Sequence, residues 1–257
     1  MFVLFIFNNS VVIFLCIHYN RTHTIFVNNL NATMNIANIN HTEPFESEFE
    51  LVKGFEELIL SNGSRNLKLE LEFDCGFGIA DAVLFKYRDV EVYNLSQINP
   101  SWAYTLKSLP YRKNFSLEDI VEISGASIQA AKVALKQFVD AGYCVEKKDN
   151  IFVKVKQPKP VSNKIVAIEA KLKNWKRALW QASRYKTFSH ESWVLLDRKN
   201  VKPALENIDV FKKFNIGLAT FSTDTCYEVF FKPRRDIHKS EIAYWKANTI
   251  LAQRIIN

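Results

Sequence analysis

The hydrophobic positions of this chain change period several times, and each change marks an element. Phe45, Phe49, Val52, Phe55 and Ile59 recur at helical spacing, with Thr42 placed to cap the helix and Pro44 in its first turn. After a turn at 61–64, Leu67, Leu69, Leu71 and Phe73 alternate with Lys68, Glu70 and Glu72. That is the period of a half-buried strand, with all four apolar residues on one face. Cys75-Gly76-Phe77-Gly78 makes a tight connection to a second, more apolar strand at 79–87, which carries Asp81 in its first half. The pattern then turns helical. Residues 100–109 predict a short helix, Ser116 opens a capping box for a helix over 117–123, and Ser127 caps a longer helix ending at Gly142. Two short strands flank Asp149-Asn150 as a hairpin, and a linker with two prolines spans 157–163.

A β-branched strand from Lys164 ends in Glu169 and Lys171. Positions two apart on a strand share a face, so these two emerge together and Ala170 turns away. A buried strand has little use for a carboxylate beside an ammonium unless they pair or bind something. A helix follows, 175–187, on which Gln181 and Tyr185 share a stripe. Strands at 191–197, 216–222 and 227–232, a helix at 202–211 and a closing helix at 240–256 complete the pattern. The closing helix has Ile242, Trp245, Ile250 and Ile255 on its apolar side.

Composition narrows this picture. With 257 residues, 48% hydrophobic, and only seven Gly and seven Pro, most of the chain can bury a core. A net charge of +7 permits a polyanionic partner without demanding one. The four Cys and five His show neither disulfide nor metal-ligand spacing, which suits a reducing, cytoplasmic setting. Residues 1–33 hold two apolar runs split by Asn8, Asn9 and Ser10, too short to span a membrane and without the flanks of a secretory signal. The expectation is a poorly structured extension over 1–43, with a domain start after Met34 and no stable membrane association. A degenerate signal or anchor is the alternative.

The order helix, helix, turn, helix, two-stranded wing over 98–157 is that of a winged helix-turn-helix, set between core segments at 44–97 and 158–257. The core order resembles the PD-(D/E)XK nuclease superfamily. Asp81 falls at that family's lone acidic position, Glu169-Ala170-Lys171 at its (D/E)-x-K element, and Gln181 to Tyr185 at the Q-x-x-x-Y element of the RecB-type branch. Ile79 and Ala80 stand before Asp81, so the family's proline is absent. The resemblance implies an α/β, restriction-endonuclease-like mixed sheet flanked by helices, with an inserted winged helix. It implies Mg²⁺ or Mn²⁺ held by Asp81 and Glu169, with Lys171 orienting the nucleophile or stabilising the oxyanion. Gln181 and Tyr185 would position substrate or backbone. A further acid is expected from the first helix, where Glu50, Glu56 and Glu57 are candidates.

Two surfaces are expected to meet DNA. Lys173, Arg177, Trp180 and Arg184 form a stripe suited to a phosphate backbone. Gln129, Lys132, Lys136 and Gln137 lie on the polar side of the presumed recognition helix, and the wing carries Lys147, Lys148, Lys154 and Lys156. The expected function is metal-dependent hydrolysis of DNA, with the winged helix positioning a duplex and a homodimer serving double-strand cutting. The alternative is a non-catalytic DNA-binding regulator on a nuclease-like scaffold.

Overall fold

A computed structural model describes residues 43–61, 66–148 and 150–256, and the backbone alone at 2–7, 10–15 and 89–91. The possible start at Met34 and the Thr42 cap lie outside the described residues. Near the start, β1 (Phe2–Phe7) pairs antiparallel with β2 (Ser10–Leu15).

The first helix, α1 (Glu48–Ser61), begins five residues later than a Thr42 cap implies, because Ser47 takes the capping role: its Oγ accepts from Glu50 N at 3.1 Å. Phe45 lies before the helix and stacks on Phe221, ring centroids 5.6 Å apart. The buried stripe of α1 is Leu51, Val52, Phe55 and Ile59, and Phe49 is 65% exposed. The chain continues through β3 (Leu67–Asp74) and β4 (Ile79–Lys86), joined across a turn in which Gly76 and Gly78 take φ of 89° and 112°.

Instead of returning to the sheet, the chain makes a long excursion. It forms α2 (Asp89–Ser96), a 3₁₀ turn, α3 (Ala103–Ser108), β5 (Asn114–Phe115), α4 (Leu117–Ser124), α5 (Ile128–Asp140), β6 (Cys144–Lys148) and β7 (Ile151–Lys154). The α2 helix had no counterpart in the hydrophobic pattern. Capping follows the sequence: Ser116 N donates to Asp119 Oδ2 at 2.7 Å, and Ser127 Oγ accepts from Ala130 N at 3.3 Å. The three strands form their own sheet in the order β5-β7-β6, around a separate apolar core that includes Leu106, Phe115, Ile120, Leu135, Phe138 and Phe152. The edge strand β5 is too short for any period to reveal.

The chain then resumes with β8 (Ile165–Lys171), α6 (Trp175–Tyr185), β9 (Glu191–Asp197), α7 (Lys202–Leu205), α8 (Ile208–Phe214), β10 (Gly217–Phe221), β11 (Tyr227–Phe231) and α9 (Glu241–Ile256). The helix expected over 202–211 is thus two short helices. The main sheet is mixed, in the order β11-β10-β9-β8-β4-β3, with β8, β9 and β10 parallel. One face packs on α1. The other packs on α6, α8 and α9 through Val83, Phe85, Ile165, Ala167, Leu179, Phe211 and Trp245. The α/β class and a mixed sheet between helices therefore agree with the periodicity. On α9, Ile242 is 56% exposed and Ala243, Ala247 and Leu251 take the buried positions, so the stripe is rotated from the one expected. Among the described residues no helix is long and apolar enough to cross a membrane.

The face assignment of β3 also differs from simple alternation. Leu67, Leu69 and Leu71 pack with α1, but Phe73 packs on the opposite face. The pairing with β4 runs Leu71↔Ala82 and Phe73↔Ala80, and the ladder skips Glu72 opposite Asp81. Glu72 has φ of 47°, the left-handed region, which flips the strand's facing there. Arg254 Nη1 of α9 supports the kink by donating to the Leu71 carbonyl at 2.9 Å.

Candidate functional site

The kink decides where Asp81 goes. Ala80 packs on the α6 face of the sheet and Ala82 on the α1 face, so Asp81 lies at the crossover and belongs to neither core. Its Oδ2 accepts from Ala170 N at 2.7 Å, which ties β4 to the end of β8 just beyond their last paired residues, Ala82↔Ile168. On β8, Ile165 and Ala167 face α6 while Val166, Ile168 and Ala170 face α1. Glu169 and Lys171 continue the first alternation.

The three charged residues meet. Lys171 Nζ lies 2.9 Å from Glu169 Oε1, 3.6 Å from Asp81 Oδ2 and 3.0 Å from Glu48 Oε2, and it donates to the Ala170 carbonyl at 2.8 Å. The Tyr185 hydroxyl bonds Glu169 Oε2 and also reaches the Ile79 carbonyl at 2.6 Å. Glu169 is wholly buried and Asp81 only partly so. Burial raises the Asp81 carboxyl above its usual range, against the Ala170 N–H and Lys171. Burial, then the charge of Asp81, raises Glu169 as well. Lys171 is pulled down by burial, but Glu169, Asp81 and Glu48 outweigh that and leave it raised. The Tyr185 hydroxyl is raised by burial and by Glu169, so it remains a proton donor.

Glu48 was not among the acids the sequence favoured. Glu50 instead accepts from Glu46 N at 3.0 Å, Glu56 pairs with Lys53 at 2.7 Å, and Glu57 is exposed. The signal was present in Ser47-Glu48-Phe49-Glu50, a cap followed three residues later by Glu, which sets the helix start and puts Glu48 in its first turn. Gln181 makes no hydrogen bond to the carboxylates; its Oε1 is buried and unpartnered among the described residues.

Asp81 and Glu169 offer hard oxygen donors. Glu169 Oε1 is buried, with the Lys171 ammonium beside it at 2.9 Å leaving a second lone pair of that oxygen open. A carboxylate oxygen with spare capacity fits a divalent cation. Among the described residues no group of three or more His, Cys, Asp or Glu is arranged to hold a metal, so a cation here would rest on two carboxylates. Mg²⁺ is commonly held that way, with water and substrate phosphate completing its shell.

Around the site, Arg177, Trp180 and Arg184 are exposed on α6, Lys173 is exposed just before it, and the Arg184 guanidinium lies 5.1 Å from the Trp180 ring centre. A Cβ at Gly78 would make only ordinary contact with Tyr185 at 3.5 Å and Arg184 at 3.6 Å, so its φ of 112° is what favours glycine there. On α5, Gln129, Lys132 and Lys136 are exposed. Lys132 and Lys136 border a groove of about 510 Å³ shared with Glu118, Asp140 and Glu146, which offset their charge. Gln137 is committed internally, its Oε1 accepting from Asn99 N at 2.9 Å. Lys147 and Lys148 are exposed on β6. Lys154, at the end of β7, is not the surface residue expected: it is wholly buried, donating to the Leu106 and Lys107 carbonyls at 3.1 and 3.0 Å. Lys156 bonds Asn94 Oδ1 at 2.9 Å. Burial pushes the thiols of Cys75 and Cys144 up to about 12, and Cys226 Sγ accepts from Arg198 Nη1 at 2.6 Å. Comparison with protein-family models, curated proteins and solved structures returns no match for this chain.

Proposed function

We propose that this chain is a metal-dependent nuclease of PD-(D/E)XK type that hydrolyses phosphodiesters in DNA. One observation carries the reading. Asp81, Glu169 and Lys171 come from strands far apart in sequence, yet the side chains meet at one end of the sheet with Tyr185 bonded to Glu169. Two carboxylates on adjacent strands suit Mg²⁺, which when bound would activate water and offset charge on the phosphoryl oxygens. Lys171, held positive by its acidic neighbours, can then stabilise a developing oxyanion. Tyr185 fixes the Glu169 rotamer from below. The basic and aromatic face of α6 suits a phosphate backbone beside the site. The helix order of residues 98–157 and their β5-β7-β6 sheet support the winged-helix reading, with exposed Gln129, Lys132 and Lys136 on the presumed recognition helix.

Cleavage of labelled oligonucleotides with Mg²⁺ or Mn²⁺ tests this. Glu169→Gln and Lys171→Ala should each lower the rate by about 10²-fold or more, the scale of losing one preorganised electrostatic partner. Wild-type rates in both variants would remove the catalytic assignment. One observation favours a second reading: the Lys171 ammonium already pairs with Glu48, Asp81 and Glu169. A non-catalytic DNA-binding protein would hold DNA in a gel and show no metal-dependent cutting.

A further inference from the structure

Beside the carboxylates, on the α1 side, lies a cleft of about 440 Å³ bordered by Glu48, Phe49, Val52, Leu71, Glu72 and Asp81. Its size falls within the range of ~300–1,000 Å³ typical of small-ligand sites. Phe49 stands on the first turn of α1 and is 65% exposed, whereas the neighbouring stripe of that helix is buried. Val52 and Leu71 supply apolar wall. Glu48 joins this cleft to the site, since the same carboxylate pairs with Lys171 at 3.0 Å. Glu72 reaches the cleft through the left-handed kink that interrupts β3.

The lining selects its occupant by charge. Lys171 pairs with Glu48 and Asp81, and Lys53 pairs with Glu56 at 2.7 Å, so Glu72 is the lining carboxylate that carries no ion pair among the described residues, and it repels a phosphate. A nucleobase meets the opposite conditions: a flat π-face for Phe49, apolar edges for Val52 and Leu71, and an exocyclic amino group for a carboxylate to accept from. We propose that this cleft takes one unstacked nucleobase, from a nucleotide next to the scissile phosphate. The base would be an amino-bearing one, cytosine or adenine, in preference to thymine. Thymine presents carbonyl oxygens where the others present amino groups, and carboxylates repel those. The proposal rests on the nuclease reading and names its substrate: a strand with an unpaired or flipped base at the cut.

Binding without metal separates the two ideas. Fluorescence anisotropy in EDTA should show oligo-dC and oligo-dA binding several-fold more tightly than oligo-dT of the same length. Phe49→Ala should weaken dC and dA binding roughly ten-fold, the scale of one lost base–aromatic stack. Glu72→Gln should narrow the gap between dC and dT. Both side chains reach solvent, so thermal melting of the variants should match wild type. Equal or tighter binding of oligo-dT, or unchanged affinity in Phe49→Ala, overturns the proposal. Phe49-dependent dC binding without metal-dependent cutting would retain the base pocket and discard the nuclease.

Discussion

Lys154 and Lys171 are both buried ammonium groups, and their surroundings move them in opposite directions. Lys171 has carboxylates within reach and is raised. Lys154 meets only backbone carbonyls at the end of α3, and burial lowers it to about 8. Those carbonyls are the unsatisfied acceptors of the last helical turn, so the lysine acts as a cap from another element. Lys154→Met should lower stability by about 1–3 kcal/mol at neutral pH, because two acceptors lose their donor. Its pH dependence has a definite sign. Between about 8 and the ordinary lysine value of 10.5 the unfolded chain holds a proton that the folded chain has lost. The stability of wild type relative to Lys154→Met should therefore rise with pH across that window, by up to ~3 kcal/mol. Denaturant melts of both chains at pH 7 and pH 10.5 measure it, and a flat difference would contradict it. In the sequence Lys154 looked like its neighbours Lys147 and Lys148, since its partners lie 47 and 48 positions earlier. Glu169 and Lys171 were legible because both charges interrupt a strand that is otherwise apolar.

At the scale of elements, periodicity located the strands well and failed where backbone geometry intervenes. Leu67 to Phe73 reads as unbroken alternation, yet the left-handed Glu72 sends Phe73 to the other face. Such kinks recur beside functional sites, where they re-aim a side chain, and the one re-aimed here is Asp81. The start of α1 lies five residues beyond the one that Thr42 and Pro44 imply, because Ser47 is the cap, and that shift brings Glu48 into the first turn. A different constraint acts at Gly217, which stands opposite Trp193 in the parallel β9–β10 pair. A Cβ at Gly217 would lie 2.3 Å from the buried indole ring. Gly217→Ala should therefore destabilise the fold by about 1–3 kcal/mol, as overpacking does. A lower denaturation midpoint with an unchanged denaturant slope would show it.

Taken whole, the molecule is a sheet interrupted by an excursion between two neighbouring strands, β4 and β8. The excursion carries its own apolar core, distinct from the two that pack on the main sheet. Exchanging residues 98–157 for a short flexible linker should leave a sheet that still melts cooperatively, with weakened DNA retention in gels. Loss of the cooperative melt would show that the contact of Gln253 on α9 with Ile98, and the place of Ala103 in the main-sheet core, matter more than this division allows. The ends of the excursion must meet, since Phe85 pairs with Ile165, 80 positions away. Closing so long a span from an unfolded chain is entropically costly and slow. The contacts inside the excursion are closer in sequence, so they can form first and draw the two strands together. A lesion buried in that small core would then reach the main sheet through timing: β4 would find β8 later, and the apolar strand edges would stay uncovered for longer while it searched.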